Sequence, residues 1–241
     1  MAEPRDLEQF LSGDDVDAEV FALRPDYRAM LLAADGIVAG PSNERSGASL
    51  QAAEKAAVEA IGGGRPEELP HVAVWREAYR AFGAKPQRTR NSLEALLRRV
   101  STGLPRVNGL TDTYNAISVL HQVPVGGEDL ASYVGPPRLL RATGDEAFAT
   151  IADGMDALEH PVPGEVVWCD DEGVTCRRWN WRQGPRTALT EETTSALFIL
   201  DALDPMPDDA LRTAADDLVA QLQRLGPGVR VARRLISGTT Q

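Results

Sequence analysis

The chain has 241 residues, 43% of them hydrophobic and 25% charged, and carries a formal net charge of −11. That length suits one large domain or two small ones with a substantial core, and no apolar run approaches the roughly 20 residues of a membrane span. The acidic balance argues against indiscriminate nucleic-acid binding, which depends on arginine and lysine facing phosphate, but it permits a local basic face on an acidic body.

The opening residues, MAEPRDLEQF, lack the basic and apolar regions of a signal peptide, so a cytoplasmic protein is expected. Residues 1–18 are acid-rich and aperiodic and read as a flexible arm, leaving 19–241 as a single domain. Val20–Leu23 and Arg28–Ala34 read as short strands separated by the Pro25-Asp26 turn. Ser46–Ile61 places Leu50, Ala53, Ala57 and Ile61 at helical spacing, and Gly62-Gly63-Gly64 ends it. No lysine-serine pair follows those glycines, so they mark a helix end rather than a phosphate cradle.

Leu69–Phe82 is helical by pattern, with Val72, Trp75, Ala78, Tyr79 and Phe82 on one face. Asn91 and Glu94 form a capping-box pair ahead of Leu93, Leu96, Leu97 and Val100, and Gly103 and Pro105 stop that helix. The next helix is expected to start at Thr111 or Asp112 and run to Pro124. Beyond Pro124 the pattern turns to β. Arg138–Ala142, Glu146–Ile151, Gly164–Cys169, Val174–Trp181 and Ala196–Leu200 are branched or aromatic runs, with Asp170-Asp171-Glu172-Gly173 as a hairpin connection. Pro207 opens a last helix striped by Leu211, Ala215, Leu218, Leu222 and Leu225, and Arg230–Ile236 is a final strand. Helices first and strands afterwards define an α+β class with a mixed β-sheet packed by helices.

Three groups of residues carry candidate chemistry. The first is a basic island: Lys85, Arg88, Arg90, Arg98, Arg99 and Arg106 stand against one acid, Glu94. The planar arginine fork suits RNA phosphate, while arginines near a helix C-terminus also simply favour its dipole. The second is Asn108, Asp112 and Asn115. A helix start offers unpaired N–H groups, and amide side chains both donate and accept, so the three could hold an aminoacyl group. Capping accounts for Asp112, and a turn for Asn108, which makes Asn115 the informative residue. The third is Arg177-Arg178-Trp179-Asn180-Trp181-Arg182-Gln183. As a strand it puts Arg178, Asn180 and Arg182 on one face, either a pocket floor for a carboxylate or a strip for nucleic acid, with tryptophans on the other.

Weaker candidates are Glu165 as a general base, His121 beside the polar helix, and Cys176, whose arginine neighbours would favour a thiolate. Cys169 and Cys176 read as free thiols. Their spacing and the three histidines, His71, His121 and His160, match no metal motif, and no metal or other cofactor is expected.

The phrases FGAKPQRTRNSLEALLRRV, LPRVNGLTDTYNAISV and VPVGGEDL, followed by PGEVVWCDDEGVTCRRWNWRQ and TEETTSALFIL, form an ordered set over about residues 65–203. This set resembles the B3/B4 domain, the tRNA-binding module of the phenylalanyl-tRNA synthetase beta subunit. It is more similar still to free-standing proteins made of little besides that module. The resemblance implies tRNA or aminoacyl-tRNA as partner and a pocket that hydrolyses tRNA mischarged with tyrosine, a second sieve for an added hydroxyl. Two departures stand against a simple transfer. Trp179–Gln183 occupies the place of a glycine-rich turn, and Leu200-Asp201 replaces a strand-ending glutamate. Three readings follow: a stand-alone hydrolase of misacylated tRNA, a non-catalytic RNA-binding module, and a binder of a free amino-acid-like metabolite held by Arg178 or Arg182.

Overall fold

The computed structural model describes residues 6–238. Its first helix, α1 (Leu7–Ser12), is capped by Asp6, whose carboxylate accepts from the Gln9 N–H at 3.0 Å. A short strand, β1 (Asp15–Val16), and a helix, α2 (Ala18–Leu23), follow. A strand is expected at 20–23, but Asp17 caps a helix there, because a short apolar run reads equally well as either element. Residues 6–18 also differ from the expected arm: Leu7 and Leu11 are buried in the main core and β1 pairs with a later strand. Residues 1–5 of that arm lie outside the described residues.

Next come β2 (Arg28–Asp35), α3 (Glu44–Ile61), α4 (Pro70–Ala81), α5 (Ser92–Leu97) and α6 (Gly109–His121). Asn43 caps α3, and Gly62 closes it at φ 57°, where glycine carries no steric cost. Helix α6 starts at Gly109 because Asn108, rather than Thr111 or Asp112, supplies its cap. The strands β3 (Val125–Asp129), β4 (Arg138–Arg141), β5 (Phe148–Ala152), β6 (Met155–Glu159), β7 (Val166–Cys169), β8 (Val174–Arg177), β9 (Arg182–Gln183) and β10 (Ser195–Ala202) precede α7 (Asp208–Leu222) and β11 (Arg230–Ser237). Of these, β3 and β6 escape the sequence reading, and the strand expected over Val174–Trp181 ends at Arg177.

Residues 29–34 of β2 are all buried, so the strand needs a layer on each face. The two-residue period sorts them: Ala29, Leu31 and Ala33 enter one core cluster, and Met30, Leu32 and Ala34 another. β2 lies between β10 and β11, antiparallel to both, in a sheet of order β11-β2-β10-β3. Leu211, Leu218 and Leu222 of α7, with Ile117 of α6, cover one face. The other face meets Trp75 and Tyr79 of α4 and, from a second sheet of order β1-β4-β7-β8-β9, Leu139, Trp168 and Cys176. That second sheet is mixed, since β1 and β4 run parallel. A third cluster joins α3, α5 and α6 through Leu50, Leu93, Leu97 and Val119. His71 of α4 locks this layer to the sheet: its Nδ1–H donates to the Gln122 carbonyl at 2.8 Å, while Nε2 accepts from the Leu203 N–H at 3.1 Å.

Asp14 is buried, and neither carboxyl oxygen has a hydrogen-bond partner among the described residues. Burial pushes this carboxyl up to about 8, against the Arg234 charge that lowers it. A raised folded value means that its contribution to stability is present at acid pH and is lost as pH rises from the ordinary aspartate range through about 8. Asp14→Asn is therefore expected to flatten the fall in melting temperature across that interval, followed by thermal denaturation in a pH series.

Candidate ligand cleft and its basic flank

The segment after β8 is set by a buried ion pair. The Arg177 guanidinium grips Glu165 through Nε at 2.5 Å and Nη2 at 2.9 Å, and reaches Glu159 at 3.0 Å. Arg178 and Trp179 then take left-handed backbone angles, φ 49° and 68°. For non-glycine residues this costs about 1–2 kcal/mol each. Trp179 offsets that cost. Its ring is fully buried, edge-on to Tyr27 at 5.0 Å and Trp75 at 5.2 Å, and a buried tryptophan is worth about 3–5 kcal/mol. The Trp179 N–H donates to the Val166 carbonyl at 2.6 Å, and the Asn180 carbonyl accepts from the Ser92 N–H at 2.9 Å.

This kink abolishes the strand alternation expected for residues 178–182. Arg178 bonds Thr89, ion-pairs with Glu165 at 3.6 Å and stacks over Trp181 at 4.4 Å. Arg182, in β9, bonds Thr150 and pairs with Glu159 at 3.0 Å. Asn180 turns inward. Its Oδ1 accepts from the Tyr79 hydroxyl at 2.9 Å and its Nδ2 donates to Asp201 at 3.1 Å.

Between α5, α6, β3 and the 180–183 segment lies a cleft of about 260 Å³. Of the candidate pocket residues, Asn115 and Asn180 line it; Asn108, Asp112, Arg178 and Arg182 do not. Asn108 caps α6, accepting from the Thr111 N–H at 2.8 Å. Asp112 is fully buried and accepts from Ser46 at 2.9 Å and the Val107 N–H at 3.0 Å, tying α3 and the preceding turn to α6. Asn108 is thus spent on the helix cap, and Asp112 on the turn before it and on α3.

Asn115 is different. It is 8% exposed, and its side-chain amide makes no hydrogen bond among the described residues. Ser92, across the cleft, has a buried hydroxyl that also lacks a partner there. Gln183 donates from Nε2 to the Gly127 carbonyl at 2.8 Å, which orients its amide at the cleft wall. Cys176 lines the wall as a neutral thiol: burial pushes it well above its ordinary value, reinforced by the nearby Glu128 and Asp201 carboxyls. The lining carries no charged side chain.

Sequence reasoning missed the part played by Gly126 and Gly127, although two glycines inside a strand signal close approach. A Cβ at Gly127 would stand 2.9 Å from the Tyr114 ring and 2.8 Å from Leu189. A Cβ at Gly126 would meet only Gln183, at 3.8 Å, and so would stand at the cleft. Among the weaker candidates, Glu165 is taken up by Arg177, and His121 pairs with Asp217 at 2.9 Å. A larger groove of about 640 Å³ runs between β4 and β11, but its arginines are committed, Arg138 to Asp171 and Arg234 to the Leu11 and Asp14 carbonyls.

The basic island divides in two. Glu94 is fully buried and gathers Arg76 at 2.7 Å, Arg98 at 3.0 Å and Arg90 at 3.6 Å; Arg98 also reaches Glu67 at 2.6 Å. Glu94 thus serves arginines instead of completing the expected capping box. Lys85, Arg88, Arg99 and Arg106 are exposed and make no ion pair among the described residues. Lys85 and Arg88 lie on the connection that leads into Ser92 and the cleft.

The architecture is therefore an α+β module with a neutral polar cleft and an unneutralised basic flank beside it. The B3/4 domain family matches residues 74–225, and the chain belongs to that family. No curated protein matches the chain. Among solved structures it is similar to an N-terminal fragment of the phenylalanyl-tRNA synthetase beta-subunit from Pyrococcus horikoshii, with 12% identity and a TM-score of 0.46 over 95% of this chain and 54% of that one. The chain spans about half the length of that fragment. No helix among the described residues is long and apolar enough to cross a membrane.

Glu94→Ala is expected to cost about 3 kcal/mol, because it removes the shared partner of a buried charge cluster. Urea unfolding would register this as a lower midpoint at an unchanged slope.

Proposed function

We propose that this chain handles aminoacyl-tRNA, and that its cleft receives the aminoacyl end as a stand-alone hydrolase of misacylated tRNA. The observation that carries this reading is Asn115, an amide without a protein partner in a cleft whose other amides are engaged. An unmet donor and acceptor at such a site favours a ligand that supplies both. Membership of the B3/4 family and the motif set around residues 82–129 support tRNA as the carrier of that ligand. The free cations Lys85, Arg88 and Arg99 give phosphate a place to sit on an otherwise acidic body.

Hydrolysis adds water across the ester: the water oxygen bonds the aminoacyl carbonyl carbon, and the ribose hydroxyl leaves with a proton. With a neutral lining and Cys176 held as a thiol, the wall offers amide and hydroxyl groups for orienting water and ester. Orientation is thus the main contribution available to this cleft. The same neutrality supports a second reading, a non-catalytic tRNA-binding module. The free amino-acid reading loses its anchor, because Arg178 and Arg182 are engaged elsewhere and do not line the cleft.

Deacylation of tRNA mischarged with tyrosine and related aromatic amino acids is expected above background, and is expected to be lost in Asn115→Ala. Gly126→Val should keep the melting temperature and lose turnover, since the added methyl groups enter the cleft. Background rates across the charged-tRNA panel, with tRNA binding intact, would establish the non-catalytic module instead. Binding of tRNA should weaken with salt, with a log–log slope reduced by about 2 when Lys85, Arg88 and Arg99 are changed together to alanine.

A further inference from the structure

Behind the cleft wall lies a buried polar chain that the cleft reading leaves unexplained. The Tyr27 hydroxyl donates to Asp201 Oδ1 at 2.6 Å, Asp201 Oδ2 accepts from Asn180 Nδ2 at 3.1 Å, and Asn180 Oδ1 accepts from the Tyr79 hydroxyl at 2.9 Å. Tyr27, Tyr79 and Asp201 are 2% exposed or less, whereas Asn180, at 5%, is the one member that lines the cleft. The groups facing this carboxyl come from every element around it: Tyr27 ahead of β2, Tyr79 on α4, Cys176 on β8, Asn180 on the kinked segment, and the Pro124 carbonyl, which accepts from the Asp201 N–H. Asp201 makes no ion pair among the described residues.

We propose that Asp201 is a positioning residue that acts through Asn180, deciding which end of that amide bonds Asp201 and which bonds Tyr79, and so at which corner the amide's spare hydrogen and spare lone pair stand for a ligand. An ionised Asp201 only accepts, so it holds the Asn180 nitrogen toward itself and leaves the oxygen to Tyr79. A neutral Asp201 carries a proton that it can donate. Asn180 can then turn its amide over, taking that proton on Oδ1 while Nδ2 donates to the Tyr79 oxygen. The two orientations exchange a donor for an acceptor at both corners of the amide. The balance between them lies in an accessible range, because burial pushes the Asp201 carboxyl up to about 7, against the Tyr27 and Asn180 hydrogen bonds that lower it.

The consequence for a ligand rests on the cleft being the binding site; the amide coupling does not, and the test keeps them apart. The side-chain ¹⁵NH₂ resonances of Asn180, identified by their loss in Asn180→Ser, are followed in the free protein from about pH 5.5 to about pH 8.5. They are expected to titrate with a single midpoint near 7. Asp201→Asn, which mimics the neutral acid, should abolish the titration. Tyr27→Phe, which keeps the ring contacts, should move the midpoint upward by about 1 unit. A flat wild-type profile, or an unchanged midpoint in Asp201→Asn, overturns the proposal. Deacylation measured over the same interval should share the wild-type midpoint and lose its pH dependence in Asp201→Asn. Turnover with a flat amide profile would overturn the relay and leave the cleft reading standing. A titrating amide without turnover would support the relay and count against the hydrolase alone.

Discussion

Trp179 is a single side chain on which two sheets, a helix and the cleft all depend. Its ring fills the space between Tyr27 at the head of the central sheet, Trp75 on α4 and Phe82 beyond it, while its backbone N–H donates to the carbonyl of Val166, the first residue of β7. With the ring buried, the backbone around it must adopt left-handed angles that a tryptophan and an arginine would otherwise avoid. The chain accepts the strain because the ring loses more by leaving the core. Asn180 and Trp181 arrive at the cleft as a result, carried by a kink whose energy is stored in aromatic packing instead of in local propensity.

Much of the framework was legible from spacing alone. Ten of the expected segments, from Arg28–Ala34 through the leucine stripe of the last long helix, match observed elements because their apolar residues keep one period long enough to be distinctive. What failed was short or irregular. Val20–Leu23 is four apolar-rich residues whose helix is decided by the Asp17 cap. The run from Val174 to Trp181 has the composition of one strand, yet the burial of Trp179 overrides it midway. At the site, Asn115 stood out because capping does not explain it, while Asn108 is spent on the α6 cap and Asp112 on Ser46 and the Val107 N–H. Arg178 and Arg182 were over-read for another reason: their partners, Glu165, Glu159 and Thr89, lie distant in sequence and can be matched to them only in three dimensions.

Electrostatically the molecule keeps charged side chains out of the cleft lining. Glu94 and Glu165 each gather arginines, and Asp170 takes Arg186, while the cleft is lined by amides, hydroxyls, a thiol and apolar side chains. Such a wall discriminates by hydrogen-bond direction and volume. On the proposed reading, attraction of the polyanion falls to cations outside the cleft that have no counterion, which divides recognition into a long-range part on the flank and a short-range part in the cleft.

The paired glycines of β3 carry the same division into how the protein can change over time. At position 127 any side chain collides with Tyr114 and Leu189, so the residue is answerable to folding and is effectively frozen. One residue earlier, added atoms meet little beyond Gln183 and alter the space for an occupant while leaving the sheet intact. Adjacent positions with such opposite tolerances give a lineage a dial that is uncoupled from stability. On the proposed reading, position 126 is where single substitutions reshape the cleft for a new ligand, and the fold need not be rebuilt to follow it.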